Sequence, residues 1–96
     1  MKISNIVWLA RFLEKIERKH GVSAEEVEEV FDNRPRFRRI ELGDVAGENL
    51  YRALGPTDGG RYLAVFFIYK GRGRALIISA RDASTKEMKS YGKRKK

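Results

Sequence analysis

An unbroken apolar run, Tyr62-Leu63-Ala64-Val65-Phe66-Phe67-Ile68-Tyr69, limits what this chain can fold into more than any other segment does. It is far shorter than the roughly 20 apolar residues that cross a bilayer. Turn-forming residues bound it on both sides, at 56–60 and at 71–73. Such a run is typical of a buried strand with both faces at least partly covered. The pattern therefore predicts that residues 61–70 form the central strand of a sheet.

Further short strands are predicted at residues 36–42, 50–55 and 74–81, and an edge strand within residues 3–8. Short connections rich in glycine join consecutive antiparallel strands. Pro35 marks where this pattern begins, because proline blocks continuation of a helix. The second half of the chain is therefore expected to form a small antiparallel sheet.

The first third of the chain has helical periodicity. Apolar residues recur at helical spacing in Leu9, Phe12, Leu13 and Ile16. Gly21 is placed to end this helix in the left-handed conformation. A second helix is predicted to start at once, since Ser23 and Glu26 have the spacing of a capping box.

The same capping-box spacing recurs at Ser84 and Glu87 and predicts a last helix, with Met88 and Tyr91 on one of its sides. Helices packed on one face of an antiparallel sheet give an α+β fold. We expect a single domain over residues 1–92, followed by a basic tail at 93–96.

Basic side chains outnumber acidic ones by 21 to 13, a formal net charge of +8. On one small body this excess attracts polyanions, so a nucleic acid is the expected partner. A membrane headgroup layer, an acidic protein and solubility alone are the alternatives. The chain has no cysteine, which excludes disulfides and thiolate metal sites, and its single histidine, His20, cannot build a zinc site unaided. We predict no cofactor. Without a signal-peptide pattern or a membrane span, a cytoplasmic location is expected, and the oligomeric state is left open.

Arg81 ends the strand predicted at 74–81 and directly precedes the capped helix. A guanidinium held at a strand end can bind phosphate through two parallel hydrogen bonds and keeps its charge at neutral pH. The alternative is an ordinary surface arginine.

A series of short motifs occurs in the order and at the separations found in one known family. The motifs are Trp8, Lys19-His20-Gly21-Val22-Ser23, Phe31-Asp32, Gly47-Glu48, Ala53-Leu54-Gly55, Thr57, Gly60-Arg61, Ile78-Ser79-Ala80-Arg81 and the segment from Glu87 to Tyr91. On these residues the chain resembles the BrnT-type toxins over nearly its whole length. The resemblance implies a RelE-like fold and a metal-independent endoribonuclease, the toxin of a type II toxin-antitoxin pair. It also implies RNA as substrate and a BrnA-like antitoxin, whose acidic or apolar surface is expected to meet the sheet.

Cleavage of RNA by its own 2′-hydroxyl requires a proton acceptor, stabilisation of charge on the phosphate and a proton donor. The candidates for these catalytic roles are His20, Arg81 and Arg52, and those for RNA binding are Lys19, Arg61 and Tyr91. Each has a structural alternative. His20 fits equally well as a neutral side chain satisfied beside Gly21, Tyr91 as a ring that docks the last helix, and the cations as solvated groups.

The chain departs from the family pattern near Trp8 and in the strand at 50–55. Leu9 and Phe12 stand where an acidic residue and a lysine are usual, and Leu50 stands where an arginine is frequent. Arg52, two residues later on the same strand face, is available as a substitute. These departures support a second hypothesis, a noncatalytic module of the same fold that binds RNA, DNA or an antitoxin. A sequence-specific DNA binder is less favoured, since no helix-turn-helix with a basic recognition helix is present.

Overall fold

The computed structural model describes residues 1–41 and 49–93. The turn predicted at 43–47, the Gly47-Glu48 pair and tail residues 94–96 lie outside them. The elements are β1 Asn5–Val7, α1 Ala10–His20, α2 Ala24–Asp32, β2 Arg36–Glu41, β3 Leu50–Pro56, β4 Tyr62–Gly71, β5 Arg74–Asp82 and α3 Thr85–Lys93. No helix of the described residues is long and apolar enough to cross a membrane.

Within the described residues, five strands form one sheet in the order β1-β5-β4-β3-β2, with β4 at the centre as predicted. The pairs β2–β3, β3–β4 and β4–β5 are antiparallel, whereas β1 runs parallel to β5. The predicted purely antiparallel sheet is therefore wrong for β1, and the sheet is mixed. No hairpin turn joins β1 to β5, so the turn rules that fix the other pairs do not fix its direction.

The two faces of the sheet are covered by different helices. Residues Leu63, Val65 and Phe67 of β4 pack with buried side chains of α1 and α2, and we call this side the α1/α2 face. Ala64 of β4 packs with Tyr91 of α3, and we call the opposite side the α3 face. The expectation that all helices share one face is wrong. Successive strand side chains point to opposite sides, so the continuous apolar run of β4 supplies both cores.

The predicted helix boundaries are confirmed where their caps were identified. Gly21 closes α1 with φ of 60°. Ser23 Oγ accepts from the Glu26 amide, and the Glu26 carboxylate accepts from the Ser23 amide, both at 3.1 Å. The corresponding bonds at α3 are 3.1 Å from the Glu87 amide to Ser84 Oγ and 2.9 Å from the Ser84 amide to Glu87 Oε1. The second box fixes where the Glu87 carboxylate lies.

Candidate anion-binding site

Arg52 of β3 and Arg81 of β5 project from the α3 face on either side of the central strand. Arg52 is paired with Phe66 and Arg81 with Ala64, and both partners belong to the apolar cluster on that face. Arg81 Cζ lies 5.3 Å from the centroid of the Phe66 ring. The register of three strands therefore places two predicted site residues on either side of Phe66, with Arg81 over its ring.

The Glu87 carboxylate joins these two arginines. Arg81 donates from Nη1 to Oε1 at 2.8 Å and from Nη2 to Oε2 at 3.1 Å, in the two-pronged geometry that arginine forms with planar anions. Arg52 donates from Nη1 to Oε2 at 3.1 Å. The Ser84 amide completes the set at Oε1. The first turn of α3 thus anchors a carboxylate where two strands present guanidinium groups.

These contacts keep Glu87 ionised. The hydrogen bonds from Arg81, assisted by the Ser84 amide and the charge of Arg52, lower the pKa of Glu87 from 4.5 to about 2 against the opposing effect of burial. The same pairing raises the pKa of Arg81 above its usual value. The side chains of Arg52 and Glu87 are 13% and 12% exposed, while that of Arg81 is 40% exposed. Arg81 is therefore the member of the trio that solvent or a ligand can reach.

An open pocket of about 370 Å³ lies beside this trio. The residues that line it are Arg38, Arg52, Arg81, Ser84, Lys86, Glu87 and Ser90. Four of these side chains are basic and one is acidic, so the lining has a formal charge of +3. Over residues 1–41 and 49–93, Arg38 and Lys86 form no ion pair, and the buried Nε of Arg52 has no hydrogen-bond partner. The pocket retains unused donors and excess positive charge, so an anion is the ligand it fits.

Arg61 lies on the opposite face and serves a different purpose. Its guanidinium donates to the carbonyl oxygens of His20 and Gly21, both at 3.0 Å, to Glu26 at 3.1 Å and to Asp82 at 2.6 Å. Asp82 holds the pKa of Arg61 above its usual value, and Arg61 holds that of Asp82 below. These bonds tie the turn between α1 and α2 to the start of β4 and the end of β5.

The structure brings together only part of the predicted site. Lys19 and His20 are exposed at the end of α1, on the face away from Arg52 and Arg81. Tyr91 is buried, with 8% exposed, on the α3 face. Its hydroxyl lies 3.2 Å from the carbonyl oxygen of Arg34, and its ring packs against Tyr62 with 5.6 Å between centroids. A base cannot stack on this ring while α3 stays docked.

Three charged residues of the pocket, Arg38, Lys86 and Glu87, were missed as site residues in the sequence. Arg38 faces Arg52 in the β2–β3 register. The length of the connection between these two strands does not define which of their residues pair. Glu87 was recognised as a helix cap, and Lys86 is its neighbour. The signal for Glu87 was present. A capping carboxylate six residues after a strand-end arginine lies within reach of that arginine.

These observations define a class of protein: a small α+β protein with a cationic pocket on one face of its sheet. The sequence model of the ribonuclease toxin BrnT of type II toxin-antitoxin systems matches residues 13–87. The chain belongs to this family, and the resemblance found in the sequence is confirmed.

The fold is similar to the 1.1 Å crystal structure of the Brucella abortus ribonuclease toxin, BrnT, with a TM-score of 0.59. The two chains are 24% identical, and the match covers 84% of this chain and 97% of the other. At this identity the likeness concerns the fold alone. A comparison with curated protein sequences gives no match.

Proposed function

We propose that this protein is a metal-independent endoribonuclease, the toxin of a type II toxin-antitoxin pair, and that the α3-face pocket binds the scissile phosphate. The +3 lining of that pocket, in a member of the BrnT family, is the observation on which the proposal rests. The proposal includes a BrnA-like antitoxin as partner and a relationship of the fold to the RelE group.

Arg81 and Arg52 are assigned to the phosphate. In the reaction the ribose 2′-oxygen attacks phosphorus, the bond from phosphorus to the 5′-oxygen breaks, and charge builds up on the non-bridging oxygens. Guanidinium groups held by a sheet can stabilise that charge once the phosphate has taken over the donors that Glu87 occupies. Arg81, which is the more exposed, makes the first contact, and Arg38 and Lys86 extend the cationic lining along the RNA backbone.

Glu87 is assigned to accept the 2′-hydroxyl proton, because it is the carboxylate that lines the pocket. With a pKa of about 2 in its pairing with Arg81, it is a weak base. A phosphate that takes hydrogen bonds from Arg81 removes part of that stabilisation, so the pKa of Glu87 rises as the substrate binds. The Lys86 ammonium is assigned to protonate the leaving 5′-oxygen. Lys19, His20 and Arg61 receive no chemical role, because they lie across the sheet.

The second candidate is the noncatalytic module that binds RNA, DNA or an antitoxin. Its support is that Arg81 and Arg52 already donate to Glu87, and that neither histidine nor tyrosine is among the described residues that line the pocket. Binding without cleavage is the expected behaviour of such a site.

RNA incubated with the purified protein in chelator separates the two candidates. We expect the wild type to leave products with 2′,3′-cyclic phosphate and 5′-hydroxyl ends, and a 2′-deoxy substitution at the cut position to block the reaction. Arg81→Ala should reduce the rate by roughly a hundredfold or more, in the range for loss of one preorganised charge contact. Arg72→Ala, which removes an exposed arginine of the β4–β5 turn, is the matched control. Intact RNA that is nevertheless retained by the wild type would establish the noncatalytic module.

A further inference from the structure

The outer edge of β2 presents an open pairing surface. β2 lies at the end of the strand order, and among the strands that the structure describes it pairs with β3 alone. No backbone hydrogen bond recorded for residues 1–41 and 49–93 reaches its outer side. An edge of six residues has room for a paired strand, whereas β1 at the opposite edge has three. Proteins normally shield such an edge or use it to bind another chain.

The side chains of this edge are basic and exposed. Arg36, Arg38 and Arg39 are exposed, as is Ile40 at 44%. Charges on an edge strand also discourage self-pairing, so two copies of this chain are poorly matched to each other here. A strand carrying carboxylates matches the edge well. Charge complementarity therefore selects an acidic segment rather than a second copy.

Strand alternation specifies the pattern that such a segment would carry. Arg36 and Arg38 pair with Leu54 and Arg52, so they point to the α3 face. Phe37 points to the other face, where it borders an open groove of about 790 Å³ that Phe31 and Pro35 also line. A strand added to β2 would meet Arg36 and Arg38 on one side. On the other side it would meet Phe37 and the apolar part of a groove that charged side chains also line, followed by Arg39 two residues along the strand. Carboxylates should alternate with apolar side chains in the segment.

We propose that an acidic, alternating segment of the protein partner adds to β2 as a sixth strand and neutralises Arg38 at the mouth of the α3-face pocket. The identity of the partner rests on the proposed toxin-antitoxin function, whereas the strand pairing does not. Arg38 lines that pocket and also belongs to β2, so one acidic side chain beside it would lower the positive charge offered to RNA. Pairing at the edge thereby connects partner binding to inhibition.

A fluorescent peptide with the core Glu-Val-Glu-Val-Glu-Val, titrated against the full chain, tests the proposal. We expect binding, slowed amide hydrogen exchange within residues 36–41, and at least roughly tenfold weaker binding to Arg38→Glu, since a like charge would now face the carboxylate beside it. Arg18→Glu makes the same charge change on α1, which packs on β5, and should bind as the wild type does. Thermal unfolding of both variants verifies that they are folded.

Two peptide controls separate strand pairing from simple attraction. A block peptide, Glu-Glu-Glu-Val-Val-Val, keeps charge and composition but loses the alternation, and N-methyl groups on alternate residues of the original remove backbone donors. Both should bind at least roughly tenfold more weakly. Equal binding of all three peptides, or unchanged exchange at 36–41, would overturn the proposal. RNA cleavage without any peptide is measured separately, so a failure of the nuclease assignment and a failure of the edge assignment give different results.

Discussion

Arg81 and Glu87 face each other through two parallel hydrogen bonds of 2.8 and 3.1 Å, one from each terminal nitrogen of the guanidinium. A phosphate presents two oxygens to arginine in the same way. The carboxylate therefore occupies donors that an RNA phosphate would use. Glu87 both holds the first turn of α3 on the sheet and competes with the proposed ligand.

Glu87→Gln should weaken the fold and strengthen anion binding. Loss of a largely buried charge that joins two arginines is expected to cost about 2 kcal/mol of unfolding free energy, measured by urea denaturation. Affinity for a non-cleavable 2′-O-methyl RNA oligonucleotide should rise, because Arg81 and Arg52 are released. Glu25→Gln, an exposed change on α2, removes the same charge on the other face. If Glu87→Gln and Glu25→Gln increase the affinity for RNA by the same factor, the change in net charge alone explains the increase.

The stability of the protein should depend on Glu87 between pH 4.5 and about 2. Folding lowers the pKa of this carboxyl from 4.5 to about 2, so its contribution is complete above pH 4.5 and is lost as the pH falls toward 2. The difference in urea midpoint between wild type and Glu87→Gln should shrink through that window. A difference that stays constant from pH 6 to pH 2 would show that the ion pair is not its source.

Local turn chemistry explains why most of the fold could be predicted. The bounds of β3, β4 and β5 agree with the predicted ones to within a residue, since glycine-containing turns define both hairpins. The direction of β1 and the side taken by α3 could not be predicted, because each depends on contacts between segments far apart in the sequence. The candidate site likewise depends on contacts between segments far apart in the sequence. Alternation identifies which residues of a strand share a face, but only the register between strands places Arg52 and Arg38 together.

Arg61→Ala is expected to destabilise the protein without a specific loss of RNA binding. The guanidinium bridges two backbone carbonyls and two carboxylates, and its loss releases the turn between α1 and α2. With a side chain that is 30% exposed, a cost of about 2 kcal/mol is expected. Denaturation measures the loss of stability, and RNA affinity is measured at a temperature below the unfolding transition. Together the two measurements distinguish this variant from Arg81→Ala. Equal losses of affinity in the two would place Arg61 in the binding surface.

Tyr91 provides the sharpest distinction between docking and RNA contact. Tyr91→Phe keeps the ring against Tyr62 and Gly55 but loses the hydroxyl contacts to backbone carbonyls, which should cost about 1 kcal/mol. Tyr91→Ala empties the space under α3 and should cost about 3 kcal/mol or more, as truncation of a buried aromatic residue does. Both costs are read from urea denaturation. RNA affinity and cleavage by the phenylalanine variant should equal those of the wild type, because the hydroxyl is directed at the chain between α2 and β2. A cleavage defect in Tyr91→Phe without a matching loss of stability would assign the hydroxyl to the reaction and contradict its role as a docking group.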